Sequence, residues 1–171
     1  DAAGQPVGTD PCRFLKVAFS ADGNRLLAIT NYRLMLINRD GARIVRDRAL
    51  TASAGPGNDA GDQQVPFDFV KLMPLGTAGD RFLGVAAGNK LWQIARDTTG
   101  TVATLSVQPI VVPHNLEAAL QDAYADPTGS RIYLRTRRSV GLLVRGDDGV
   151  WNTRILLSQQ PDQPSIVALA P

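Results

Sequence analysis

The side chains of this chain that could do chemistry are few and widely spaced. His114 is the sole histidine and Cys12 the sole cysteine among 171 residues. An imidazole acts as a base or metal ligand only beside an acid, a nucleophile or further ligands. His114 follows Pro113 in a loop and has none of these adjacent. Cys12 has no neighbour that would activate its thiolate, and a single cysteine excludes an internal disulfide. Asp40, Asp97 and the Asp147/Asp148 pair precede Gly41, Gly100 and Gly149. No Asp-x-Asp-x-Asp-Gly spacing accompanies them, so they read as hairpin turns and not as calcium loops. No phosphate-binding glycine loop, metal-binding helix or nucleophile elbow occurs. No catalytic, cofactor-binding or metal-ligating residue is expected, and no cofactor.

Arginine is the residue whose placement is patterned. Gly23/Arg25, Gly79/Arg81 and Gly129/Arg131 each join a glycine, one polar residue and an arginine to an apolar run. One use of such arginines is a ring that binds an anion or a carboxylate. The other lays each aliphatic stem over its own sheet. Equivalent positions in a repeat serve the repeat first, which favours the second use. Arg135, Arg137, Arg138 and Arg145 form the densest basic cluster. In a strand-turn-strand they could face nucleic acid or an acidic partner. Tyr133 is the sole interleaved aromatic, and Asp147 and Asp148 offset the field, which favours a solvated turn. The candidate partner-binding residues are therefore Arg25, Arg81, Arg131, Arg135, Arg137 and Arg138. Trp92 and Trp151 could line a ligand face, but their area favours burial between sheets.

The elements that position these groups are short strands. Leu15, Val17 and Phe19 alternate with Lys16, Ala18 and Ser20, the period of a strand with one buried face. Ala21-Asp22-Gly23-Asn24 supplies turn chemistry, Arg25 to Thr30 a second strand, Arg33 to Asn38 a third and Ala42 to Arg46 a fourth. The same order returns from Phe69 to Met73, Arg81 to Ala87, Lys90 to Arg96 and Thr101 to Val107. It returns again from Leu120 to Tyr124, Arg131 to Thr136, Val140 to Arg145 and Val150 to Leu157. Asn115 could cap a short helical turn before the third copy. The divisions are a tail at 1–13, repeats at 14–50, 67–110 and 111–160, an insertion rich in small polar residues at 51–66, and the start of a fourth repeat at 161–171. Val167-Ala168-Leu169-Ala170 matches Val17-Ala18-Phe19-Ser20, so a fourth copy is expected to begin there.

A four-stranded unit recurring at roughly 50 residues signals the blades of a propeller. Val17 to Ala28, with Ser20-Ala21-Asp22-Gly23-Asn24-Arg25 at its centre, resembles the first hairpin of the WD-repeat family and its YVTN-like relatives. Asn89-Lys90-Leu91-Trp92-Gln93-Ile94 resembles that family's third strand, with Gln93 where aspartate is usual. Arg33 to Ile37 and Val140 to Val144 occupy the same place without the tryptophan. No Gly-His pair opens any copy, so the family's buried His/Ser/Asp network is absent. The resemblance implies an all-β, propeller-type array of four-stranded antiparallel blades, part of a larger propeller because three blades close no ring. A β-sandwich is the alternative, and it leaves the threefold repetition unexplained.

Composition sets the remaining bounds. A hydrophobic fraction of 44% with 20% charged residues is that of a soluble globular protein. A net charge of +2 is weak attraction for a polyanion. The single cysteine fits a reducing compartment, with the cytoplasm as the expectation. The start at Asp1 without a leader reads as a processed or excised piece. The function that the resemblance implies is a non-catalytic protein-interaction scaffold within a larger protein. Its partners would be other proteins, meeting the propeller face or rim loops 51–66 and 108–118, and the missing blades of the same parent. No membrane partner is expected, and nucleic acid is disfavoured. Two alternatives stand beside this: an enzyme propeller whose active site lies in missing blades, and a weak polyanion-binding module.

Overall fold

The computed structural model describes residues 14–30, 33–39, 44–49, 69–97, 104–117 and 120–158. The tail with Cys12, the insertion at 51–66, the turn at Asp40-Gly41 and the expected fourth repeat at 161–171 lie outside the described residues.

Among the described residues, twelve strands make three sheets. The first holds β1 (Phe14–Phe19), β2 (Arg25–Thr30), β3 (Arg33–Asn38) and β4 (Ile44–Ala49). The second holds β5 (Phe69–Pro74), β6 (Arg81–Ala86), β7 (Lys90–Asp97) and β8 (Thr104–Ile110). After the single turn of α1 (His114–Glu117) come β9 (Leu120–Ala125), β10 (Arg131–Thr136), β11 (Ser139–Arg145) and β12 (Trp151–Ser158). Each sheet is an antiparallel meander in sequence order. Short tight turns dictate this: between β6 and β7, Gly88 and Asn89 both take positive φ, at 73° and 63°, a left-handed backbone that reverses the chain within the three residues Ala87–Asn89.

Two strands end three residues beyond what the sequence pattern suggests, where the others differ by one at most. β4 ends at Ala49 rather than Arg46, because its pairing continues until Ala49 lies opposite Arg33 at the start of β3. β8 covers Thr104–Ile110, ending at Ile110 rather than Val107, and accepts Pro109 opposite Trp92. Both are outermost strands with one hydrogen-bonded neighbour, where charge and proline carry little cost. The helical turn begins at His114, where the Leu116 N–H donates to the Pro113 carbonyl at 2.9 Å.

The sheets stack face to face with like strands adjacent: β1 packs against β5, and β4 against β8. The middle sheet is therefore buried on both faces. Along β6, Phe82 and Ala86 join Leu27, Ile29, Leu34 and Leu36 of the first sheet in one core. Leu83 and Val85 join Leu120, Ala123, Ile132 and Leu134 of the third sheet in the other. Period-two alternation sends neighbours to opposite cores, so an unbroken apolar run is what a doubly covered strand requires. Each fully buried Leu, Ile or Phe here is worth about 1.5–3 kcal/mol over its exposed state. Trp92 belongs to the first core, and Trp151 packs against the second, as the area argument anticipates.

Candidate functional site

The three Gly-x-Arg turns occupy equivalent places at one end of the sheets, joining the first and second strand of each. Gly23, Gly79 and Gly129 all take positive φ, at 69°, 69° and 70°. The chain closes each turn with the same bond: the N–H of Ser20, Leu75 or Asp126 donates to the carbonyl of Arg25, Arg81 or Arg131. In the first turn the Arg25 N–H donates to Ser20 Oγ at 2.9 Å, and in the third the Arg131 N–H donates to Asp126 Oδ1 at 2.9 Å. Ser20 and Asp126 are thus interchangeable turn staples. The Ser20 hydroxyl, and after it the Asn24 N–H, hold the Asp22 carboxyl below its ordinary range. Partial burial pushes Asp126 the other way, but the Thr128 hydroxyl and the N–H groups of Arg131 and Ser130 outweigh it and lower its pKa.

These turns touch one another across the sheets. Arg25 Nη1 donates to the Gly79 carbonyl at 3.0 Å and to the Ala78 carbonyl at 3.4 Å. Arg25 is therefore a cross-link between the first and second sheets. Arg81 stays close to its own turn, its Nε 3.9 Å from Asp80 Oδ1. Arg131 is exposed. A second set of arginines joins them, which sequence reasoning did not assemble. The N–H groups of Arg39, Arg96 and Arg145 donate to the carbonyls of Asn24, Asp80 and Ser130, so each sheet carries two arginines at this end. Each one lies within one residue of the end of a third strand, and that spacing in the sequence was the available signal.

The dense basic cluster is divided by the fold. Arg137 and Arg138 are exposed in the turn between β10 and β11, which the hydroxyl of buried Thr136 organises by accepting from the N–H groups of Arg138 and Ser139. Arg135 lies beside them, partly buried, with Nη1 donating to Gln121 Oε1 at 2.7 Å. Arg131 and Arg145 sit at the opposite end of the same sheet, about 15–20 Å away along β10. The six candidate arginines therefore make no single patch.

Two polar contacts between sheets were not read from the sequence. Lys71 Nζ donates to Asp122 Oδ1 at 2.8 Å and to the Ala123 carbonyl at 3.2 Å, and lies 3.9 Å from the centre of the Tyr124 ring. Burial alone would raise the Asp122 pKa, but the bond from Lys71, with Tyr124 and the Ala123 N–H, lowers it. Lys16, Lys71 and Asp122 hold one repeat position, each opposite the fourth residue after the Gly-x-Arg arginine. The change from lysine to aspartate at that position was a legible signal. Trp151 Nε1 donates to Gln93 Oε1 at 3.3 Å. The residue in the aspartate position of the WD pattern thus bonds to the next sheet.

His114 is exposed at the start of α1. Among the described residues no three His, Cys, Asp or Glu side chains converge as a metal site requires, and no helix is long and apolar enough to cross a membrane.

Comparison with solved structures places this architecture. The chain resembles the β-propeller domain of Cps50 (Swd1) from Myceliophthora thermophila, with a TM-score of 0.55 and 15% identity over 90% of this chain and 45% of that one. It also resembles Hsv2 from Kluyveromyces marxianus, with a TM-score of 0.51 and 12% identity over 90% of this chain and 50% of that one. The WD40 domain of SCAP from fission yeast matches with a TM-score of 0.42 and 11% identity over 92% of this chain and 44% of that one. No protein-family model and no curated protein matches the sequence. The fold is that of β-propeller blades, three of them among the described residues, and the chain spans about half the length of the solved propellers it matches.

Proposed function

We propose that this three-bladed propeller segment is a non-catalytic scaffold that binds other proteins, within a propeller completed by further blades. The observation that carries this reading is the division of labour among its arginines. Arg25 is committed to cross-linking blades, whereas Arg131, Arg137 and Arg138 are exposed and available to a partner. Likeness to β-propeller domains agrees with it, since stacked blades present loops at both ends of a rigid array.

The test is affinity capture with the purified chain and mass-spectrometric identification of what is retained. Specific protein partners are expected, with retention reduced at least about fivefold by Arg137→Glu with Arg138→Glu, through the charge reversal. Turnover of a small molecule without any retained protein would overturn the reading. Retention of nucleic acid that falls steeply with salt and depends on Arg137 and Arg138 would replace it with polyanion binding.

A further inference from the structure

Each blade turns one face to the blade before it and the other to the blade after it. Strand register places Val17, Leu72 and Ala123 at one repeat position, each opposite the third residue after the Gly-x-Arg arginine. Phe19, Pro74 and Ala125 share another, each opposite the first residue after it. In the second and third blades this face meets the preceding blade: Leu72 packs against the first core, Ala123 lies in the second, and Ala125 packs against it. Among the described residues no blade lies behind the same face of the first blade, where Val17 and Phe19 are 52% and 63% exposed. Leu26 and Ile37 continue the row from Phe19 and are half-buried. Ala28 and Met35, in the row of Val17, are buried, so the open part is the strip along β1. First strands also carry the contact between the first two blades, β1 against β5.

The third blade presents the complementary face. Tyr124, Tyr133 and Leu142 form a row across β9, β10 and β11. They hold the places of Ala18, Leu27 and Leu36, which are buried in the core between the first two blades. In the third blade the row is only half-buried. The turns at the end of the blades follow the same pattern. Arg25 donates across the first joint to the carbonyls of Gly79 and Ala78, whereas Arg131, which holds its place in the third blade, is exposed. A Cβ on Gly79 would fall 2.7 Å from Asp22 Oδ1, and one on Gly129 2.5 Å from the Gly76 nitrogen, because a neighbouring blade presses on each turn. A Cβ on Gly23 would meet nothing within 4 Å. The described residues thus carry both halves of one joint, a donating half on the third blade and an accepting half on the first.

We infer that the further blades come from a second copy of this chain, the third blade of each copy docking on the first blade of the other to close one ring. Val17 and Phe19 of one copy meet Tyr124, Tyr133 and Leu142 of the other. Arg131 reaches the carbonyls of Gly23 and Asp22, the equivalents of Gly79 and Ala78. The exposed Asp22 carboxylate adds the charge opposite to that of Arg131. Ring size selects the number of copies. Propellers close at about four to eight blades, so two sets of the three described blades fit and three sets do not. A twofold axis makes the two joints identical, the commonest form of closed assembly. This rests on the reading above that further blades complete the propeller, and it gives their source. Arg137 and Arg138 lie at the other end of the third blade and stay open to other proteins.

The experiment is sedimentation velocity of the whole chain from about 1 to 500 μM, where the mass should double with concentration and stop at two copies. Phe19→Asp and Arg131→Glu, both at exposed positions, should each weaken dimerisation at least about tenfold. Each should leave the thermal midpoint of the dilute monomer within a few degrees. Leu156→Asp, exposed on the outermost strand β12 and outside the joint, should leave dimerisation unchanged. An equal mixture of the Phe19→Asp and Arg131→Glu chains should associate more strongly than either alone, because the mixed dimer keeps one joint that neither change touches. A monomer at every concentration, growth past two copies, or a mixture no stronger than its components would overturn the ring. So would association lost in Leu156→Asp and kept in Phe19→Asp. A monomer that still captures other proteins leaves the scaffold reading standing, and a dimer that captures none sinks that reading while keeping the ring.

Discussion

Gly129 lies against Gly76 so closely that a Cβ on Gly129 would fall 2.5 Å from the Gly76 nitrogen. The two residues belong to equivalent turns of neighbouring blades, and Gly129 also holds a φ of +70°. Gly129→Ala therefore meets both a backbone clash and left-handed strain, and should cost about 2–4 kcal/mol. Gly23 has the same conformation, at φ +69°, but open space around it. Gly23→Ala should cost about 1 kcal/mol, the conformational part alone. Urea denaturation of both variants separates the terms; equal losses would show that the contact between turns contributes nothing.

Arg25 and the exposed arginines should behave differently. Removing the Arg25 bonds to Gly79 and Ala78 by Arg25→Met should cost about 1 kcal/mol, since the donor is charged but partly in water. Arg137→Ala and Arg138→Ala should leave stability within about 0.5 kcal/mol. Thermal denaturation checks this, and a large loss in the Arg137→Ala or Arg138→Ala variant would place that side chain in a structural contact.

Lys71 and Asp122 bridge the second and third blades with side-chain exposures of 35% and 24%. Such an ion pair is screened, so a double-mutant cycle through Lys71→Met and Asp122→Asn should give a coupling of about 0.5–1 kcal/mol that shrinks in high salt. A coupling insensitive to salt would mean that packing on Tyr124, not charge, joins the two.

Asp22, Asp122 and Asp126 all have lowered pKa values. A carboxyl lowered in the folded state stabilises the fold above its unfolded value of about 3.8, and that contribution is lost as pH falls through the folded value. The thermal midpoint should accordingly fall as pH drops below about 4, and Asp126→Asn should flatten part of that slope. Loss of stability on the alkaline side of neutrality instead would contradict this assignment.

How much of this was legible in the chain differs by element. Arg25 to Thr30, Arg33 to Asn38 and Arg131 to Thr136 were read to the residue, because polar turns bracket each apolar run. The ends of β4 and β8 were not, because pairing with the neighbouring strand, rather than local hydrophobicity, decides where an outer strand stops. The candidate site was read as residue types but not as a surface: Arg135, Arg137 and Arg138 are close in sequence to Arg145 and lie at the other end of the blade.

By itself the sequence determined the repeated meander and its turns but not which face is buried: in β1 it pointed Val17 and Phe19 inward, whereas they are exposed and Ala18 and Ser20 are buried. The meander and its turns are local properties of turn chemistry and of a two-residue period. Only the tertiary structure decided which blade each buried residue faces, that Arg25 is spent on Gly79, and that Trp151 finds Gln93. Those relationships join residues about 50 positions apart, and the stacking of one whole sheet on another sets their distance.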